Sequence, residues 1–269
     1  MQKKIMNIRP PNNQSYLTLL RNLPKEKARA ILQKIPEKHL AKIKYDWLLN
    51  ARSNQYLPEG NWRTWLICAG RGMGKTRVLS ETVRMWIKKY PVVNIMGATA
   101  DNARDILIEG ESGILAVCPK DERPSYKPSK RCLDWPNGAK TLIFTADRPD
   151  ILRGKQSYKL AIDEAASFRY PDAIDQAMLG LRLGDNPQCI ITTTPRPVKF
   201  LKDLLNDPNT YVTRGTTYDN RENLAKAFFD QIIKKYEGTR LGRQELLAEV
   251  LEDNPNALWR RDDIDRLRV

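Results

Sequence analysis

Short apolar runs alternate with amphipathic stretches along most of the chain. The runs Thr64 to Cys68, Val92 to Gly97, Tyr158 to Ile162 and Gln188 to Ile191, with a last one from Tyr211, each read as a strand. A helix is predicted from the glycine-rich stretch after Cys68 to about Lys89, with Pro91 ending the element. Another is capped by Thr99 or Asp101 and runs through Ile108, and a third spans about Pro171 to Leu181. Repeated strand-loop-helix units predict a mainly parallel sheet with helices on both faces. One exception is an antiparallel hairpin: Leu133-Asp134-Trp135 and Thr141 to Thr145 flank Pro136-Asn137-Gly138-Ala139, and Asn-Gly tolerates the positive φ of a tight turn. Before the core, helical patterning covers Lys25 to Leu32 and Lys38 to Leu49; after it come helices over Leu224 to Tyr236 and Leu241 to Glu252. The pattern divides the chain into a helical N-terminal extension (1–60), an α/β core (61–215) and a small helical lid (216–269).

Composition narrows the partner. With 46 Lys and Arg against 32 Asp and Glu, the formal charge of +14 points to an anionic partner. Nucleic acid is favoured over membrane, because no run approaches the apolar length of a spanning helix. The basic start Met1 to Met6 is followed by Asn7, Arg9 and two prolines where a signal peptide would be apolar, so a cytosolic protein is expected. The four cysteines form no C-x-x-C pair and read as reduced thiols. His39, the single histidine, excludes a multi-histidine metal site and reads as a surface residue. Between Cys118 and Arg131 the chain is rich in Pro, Lys and Arg; Arg123, Lys127, Lys130 and Arg131 are candidate DNA contacts on an exposed basic loop.

The chemistry sits where strands end. Ala69-Gly70-Arg71-Gly72-Met73-Gly74-Lys75-Thr76 follows the first strand and opens a helix, the context of a phosphate cradle. Glycines allow backbone N–H groups to converge on phosphate oxygens, Lys75 reaches the β and γ phosphates, and the Thr76 hydroxyl suits Mg²⁺. Ala69 stands where the pattern has its first glycine. A second strand delivers Asp163-Glu164 at its C-terminal edge, an acid for Mg²⁺ followed by one for the attacking water. A third ends in Thr192-Thr193-Thr194-Pro195-Arg196, three hydroxyls near the γ-phosphate position. Gln55, before the first strand, offers the donor and acceptor of an adenine edge, or is a loop residue. No Asn-Lys-x-Asp segment is present, which disfavours GTP.

In this order the motifs resemble the N-terminal ATPase half of a large terminase subunit, the DNA-packaging motor of tailed double-stranded DNA bacteriophages. The resemblance spans about Trp47 to Trp259 and is carried by Ala51-Arg52-Ser53-Asn54-Gln55, the Gly70 to Thr76 loop, Leu152-Arg153-Gly154 ahead of Asp163-Glu164, Thr192 to Arg196, and Val212 to Asn220. It implies a RecA-like (ASCE) P-loop NTPase fold in three layers. It also implies ATP and Mg²⁺ as ligands, with Gln55 on adenine, Gly70, Arg71, Gly72, Gly74, Lys75 and Thr76 around the phosphates, Asp163 on the metal and Glu164 on the water. Thr192, Thr193 and Thr194 resemble the motif that couples hydrolysis to DNA movement. Arg153 matches an arginine finger reaching into a neighbouring subunit's site, and Arg71 is the rival finger in cis. Implied partners are double-stranded DNA, further copies in a ring (a pentamer on the portal), the portal protein and the small terminase subunit, in the cytoplasm of an infected bacterium. After Trp259 there is no room for the metal-dependent nuclease of full-length terminases. Asp262, Asp263 and Asp265 read as surface charge, and a separately made ATPase domain without nuclease activity is expected. Two other readings are a helicase-like or an assembly-regulating P-loop ATPase acting on nucleic acid. A plain basic binding module is the non-enzymatic one.

Overall fold

The computed structural model describes Pro10, residues 13–251 and the pair Arg266–Leu267. The aspartates Asp262, Asp263 and Asp265 and the segment around Trp259 lie outside the described residues. One eight-stranded sheet organises the chain: β1 (Thr64–Ala69), β2 (Val93–Gly97), β3 (Ser125–Lys127), β4 (Cys132–Asp134), β5 (Lys140–Thr145), β6 (Lys159–Ile162), β7 (Gln188–Thr193) and β8 (Thr210–Gly215). Their order is β3-β4-β5-β2-β6-β7-β1-β8. From β5 to β8 every pairing is parallel, whereas β3-β4 and β4-β5 are antiparallel.

The central strands are buried on both faces, as a parallel sheet covered by helices requires. Along β1, Trp65 and Ile67 enter one core with Val78, Leu79, Val83 and Trp86 of the helix Lys75–Ile87. Leu66 and Cys68 enter the other, with Ile174 of the helix Asp172–Gly180 and Leu201 of the helix Lys199–Asn206. These three layers are the predicted α/β architecture. Asn137-Gly138 turns the β4-β5 hairpin as expected: Gly138 has φ +83°, its N–H donates to Trp135 O at 2.9 Å, and Asn137 Nδ2 ties the turn to Ile87 O at 2.9 Å.

Several boundaries differ from the pattern reading. Among its described residues the extension holds four short helices, Tyr16–Arg21, Lys25–Gln33, Glu37–Ile43 and Trp47–Asn50. The predicted Lys38 to Leu49 helix is broken before Trp47, where the Asp46 carboxylate caps a new turn by accepting from Leu48 N at 3.0 Å. Thr99, not Asp101, caps the helix after β2, which widens into a π turn over Ala103–Ile108. The basic stretch is not wholly a loop, since Ser125–Lys127 pairs with β4. The last predicted helix stops at Glu245 rather than Glu252, because residues 246–248 turn back against the phosphate loop, with Leu246 O accepting from Thr217 N at 2.9 Å. His39 is exposed and the four cysteines are free and buried.

Candidate active site

The C-terminal edges of β1, β6 and β7 meet in one cavity of about 1000 Å³, the size range of a small-molecule site. After β1 the chain turns through Gly72 (φ +76°) and Gly74 (φ +97°), conformations open to glycine at little cost, and Gly74 is the N-cap of the helix that Lys75 begins. Lys75 is buried. Its Nζ donates to Ala69 O at 3.1 Å, Gly70 O at 3.3 Å and Thr194 Oγ1 at 3.0 Å, and pairs with Glu164 Oε1 at 3.3 Å.

Strand register brings the acids to the hydroxyls. Ile162 of β6 lies opposite Ile191 of β7, so Asp163 emerges beside Thr192 and Glu164 near Thr194. Thr192 Oγ1 donates to Asp163 Oδ1 at 2.5 Å and accepts from Glu164 N at 3.3 Å. Thr193 Oγ1 accepts from Ala166 N at 3.2 Å. Glu164 accepts from Thr194 N (Oε2, 3.1 Å) and from Thr194 Oγ1 (Oε1, 3.4 Å). All three threonines thus touch the acid segment. Glu164 itself has φ +50° and ψ +45°, a left-handed conformation that costs a non-glycine residue on the order of 1 kcal/mol and is common at functional turns.

Asp163 is 1% exposed, and burial pushes its carboxyl up to about 6 against the hydrogen bonds from Thr192 and Thr76 and the pull of Lys75. The Thr76 hydroxyl and the Asp163 carboxylate are hard oxygen donors that face each other at the head of the phosphate loop, a set that fits Mg²⁺ shared with phosphate oxygens. Among the described residues no group of three or more His, Cys, Asp or Glu could hold a metal by itself.

The two candidate fingers are placed differently. Arg71 lines the cavity and pairs with Glu245 at 3.3 Å. Arg153 does not line it; it is 76% exposed on the turn after Pro149–Leu152, 3.8 Å from Asp150. Of the basic candidates, Lys127 is ion-paired with Asp134 and Arg123 donates to Cys118 O at 3.3 Å, whereas Lys130 is exposed; all four belong to the β3-β4 edge, away from the cavity.

Gln55 lines the cavity and is buried, yet both ends of its amide are engaged: Oε1 accepts from Arg52 N at 3.0 Å and Nε2 donates to Met73 O at 3.4 Å. Four further residues at the site drew no role from the motif reading: Arg52, Thr217 and Asn220, which contact the loop backbone, and Arg196, exposed at the cavity wall beyond Thr194. Arg52 is a buried cation whose pKa burial lowers to about 10, against the attraction of Asp219. The Arg52/Gln55 spacing of a capping box is the available signal for the first; nothing local marks Asn220 as reaching the loop.

The family model describing the N-terminal part of T4-like-virus-type terminase large subunits matches residues 66–266. The chain belongs to this large-terminase family. Solved terminase structures share its fold. The Thermus phage P74-26 large terminase ATPase domain superposes with a TM-score of 0.56 at 17% identity, over 85% of this chain and 99% of that one. The large terminase of a second thermophilic bacteriophage gives 0.60 at 18% identity, over 80% of this chain. This terminase chain spans 53% of that second protein's length. Other structures of the second protein are complexes with ADP and with ATP-γ-S. No curated protein matches the sequence. Among the described residues of this terminase chain, no helix is long and apolar enough to cross a membrane.

Proposed function

We propose that this chain hydrolyses ATP to drive double-stranded DNA into a viral procapsid. The observation that carries the reading is the convergence of Lys75, Thr76, Asp163, Glu164 and Thr194 at the edge of three neighbouring strands in a cavity of nucleotide size. Lys75 and the Gly70–Thr76 backbone would bind the phosphates, with the base toward Gln55. Thr76 and Asp163 would hold Mg²⁺, which when bound neutralises charge on the β and γ phosphates. Glu164 would take the proton of the attacking water. The Lys75–Glu164 pair keeps that carboxylate at the phosphate end, and Thr194 N–H orients it. Thr192–Thr194, bonded to both acids and to Lys75, would pass a change at the γ-phosphate to β7. Family membership and the +14 charge support DNA as the track, held through its phosphates without sequence readout. We extend the same proposal to a ring of copies on the portal, supplied by a small terminase subunit in the cytoplasm of an infected bacterium.

Mg-ATP turnover and binding in two variants test the catalytic core. Glu164→Ala should bind Mg-ATP near wild-type affinity while turnover falls about 10²–10⁴-fold, the range for losing a general base. Lys75→Ala should lose binding as well. Wild-type turnover in Glu164→Ala would remove that residue from the chemistry, and hydrolysis surviving in Lys75→Ala would place the activity elsewhere.

A further inference from the structure

Three consecutive carbonyls of the phosphate loop are held from outside by side chains from distant segments. Thr217 Oγ1 donates to Arg71 O at 2.7 Å, Asn220 Nδ2 to Gly72 O at 2.7 Å, and Arg52 Nη2 to Met73 O at 2.5 Å, where Gln55 Nε2 adds a contact at 3.4 Å. The holders are themselves joined. Arg52 Nη1 donates to Asn220 Oδ1 at 2.6 Å and Arg52 N to Gln55 Oε1 at 3.0 Å, so the turn before β1 and the turn after β8 close a belt around the loop. Arg52 is 7% and Gln55 4% exposed, so these bonds compete little with water.

In a trans peptide the C=O and the following N–H point opposite ways. Fixing the Arg71 and Met73 carbonyls outward therefore turns the Gly72 and Gly74 N–H groups away from the belt, toward the cavity these residues line. The middle unit differs: the Met73 N–H closes the loop on Gly70 O at 3.3 Å. Gly72 and Gly74, both at positive φ, have little side-chain steric restraint of their own, so their orientation must come from neighbours.

We propose that Arg52, Gln55 and Asn220 are positioning residues that preset the loop amides for phosphate, and that Gln55 acts through the loop rather than by reading the base. This rests on the nucleotide-site reading and assigns its selectivity: the belt serves the polyphosphate, common to all nucleoside triphosphates.

Binding of inorganic tripolyphosphate, Mg-ATP, Mg-GTP and adenosine to Arg52→Lys, Gln55→Ala and Asn220→Ala tests it, in variants whose thermal midpoint and circular dichroism match wild type. Lysine keeps the charge of Arg52 but loses the fork that spans Met73 O and Asn220. Each variant should weaken tripolyphosphate and both nucleotides by about tenfold or more, the scale of one hydrogen bond to a charged group. The ATP-to-GTP ratio and adenosine binding should stay within about twofold of wild type. Unchanged tripolyphosphate binding overturns the proposal, as does a Gln55→Ala protein that loses its ATP preference while holding tripolyphosphate normally. Should Arg52→Lys not fold, the half-buried Asn220→Ala decides. Wild-type protein that binds neither Mg-ATP nor tripolyphosphate would sink the nucleotide reading itself; binding that needs Lys75 but none of the three sinks only the belt.

Discussion

Ala69 ends β1 where a phosphate loop more often has its first glycine. It is fully buried and is not among the residues with positive φ, so alanine meets no steric objection there. Gly70, one residue on, is where the space runs out. A Cβ at Gly70 would stand 2.7 Å from Leu246 O and 2.9 Å from Glu245 O, both backbone, with Thr217 N at 3.1 Å. Gly70 N–H donates to Gly215 O at 2.9 Å and Arg71 N–H to Glu245 O at 2.7 Å, so the C-terminal turn is stitched to the loop at close range. Gly70→Ala should therefore push residues 245–246 off the loop and destabilise the protein by about 1–3 kcal/mol, the usual cost of overpacking. Chemical denaturation with equal m-values measures it; a loss under about 0.5 kcal/mol, the background of surface substitutions, would show that the turn yields freely.

At the scale of elements, legibility followed period and punctuation. The strands β1, β2, β6 and β7 announce themselves as apolar runs, and the Asn-Gly hairpin by its turn chemistry. What stays hidden is short or tertiary. β3 is three residues of half-exposed Ser-Tyr-Lys that form a strand only because β4 offers an edge, and the helix Lys199–Asn206 is masked by the proline-rich stretch before it. Strand order is not legible either. Inserting β7 between β6 and β1 is what sets the three threonines between the acids and the lysine, a fact of pairing that no local pattern carries. Lys159, at the start of β6, shows the same limit: one position in an apolar run, it is 1% exposed, donating to Asn186 O at 2.7 Å and Gln188 Oε1 at 2.6 Å with Nζ 4.6 Å from the Tyr90 ring centroid. Burial, helped by Lys89, lowers its pKa from 10.5 to about 8. Between those values the unfolded chain binds more protons than the folded one, so this group adds stability as pH rises from about 8 toward 10.5. Wild type should gain stability over that window relative to Lys159→Met in paired denaturation curves at pH 8 and pH 10; parallel curves would return Lys159 to an ordinary lysine.

At the scale of the whole molecule, one chain supplies the loop, the acids, the threonines and the belt, and Arg71 already sits at the cavity wall, though tied to Glu245. Arg153 has a different situation: it stands clear of its own cavity, 76% exposed, with a long ion pair to Asp150 that water screens. A cation so placed cannot stabilise charge in its own site, but in a ring it can serve the next one. Because an arginine finger contributes on the order of 10³–10⁵ in rate, the two arrangements separate sharply in one measurement, turnover per chain as protein concentration rises. If sites are completed between copies, specific activity should climb with concentration, Arg153→Ala should abolish the climb, and wild-type protein mixed with an excess of Arg153→Ala should lose activity faster than dilution predicts. Activity flat with concentration and lost only in Arg71→Ala would mean that each chain is catalytically complete. Coordination around a ring would then have to pass through the threonines of β7 and the C-terminal turn rather than through a shared arginine.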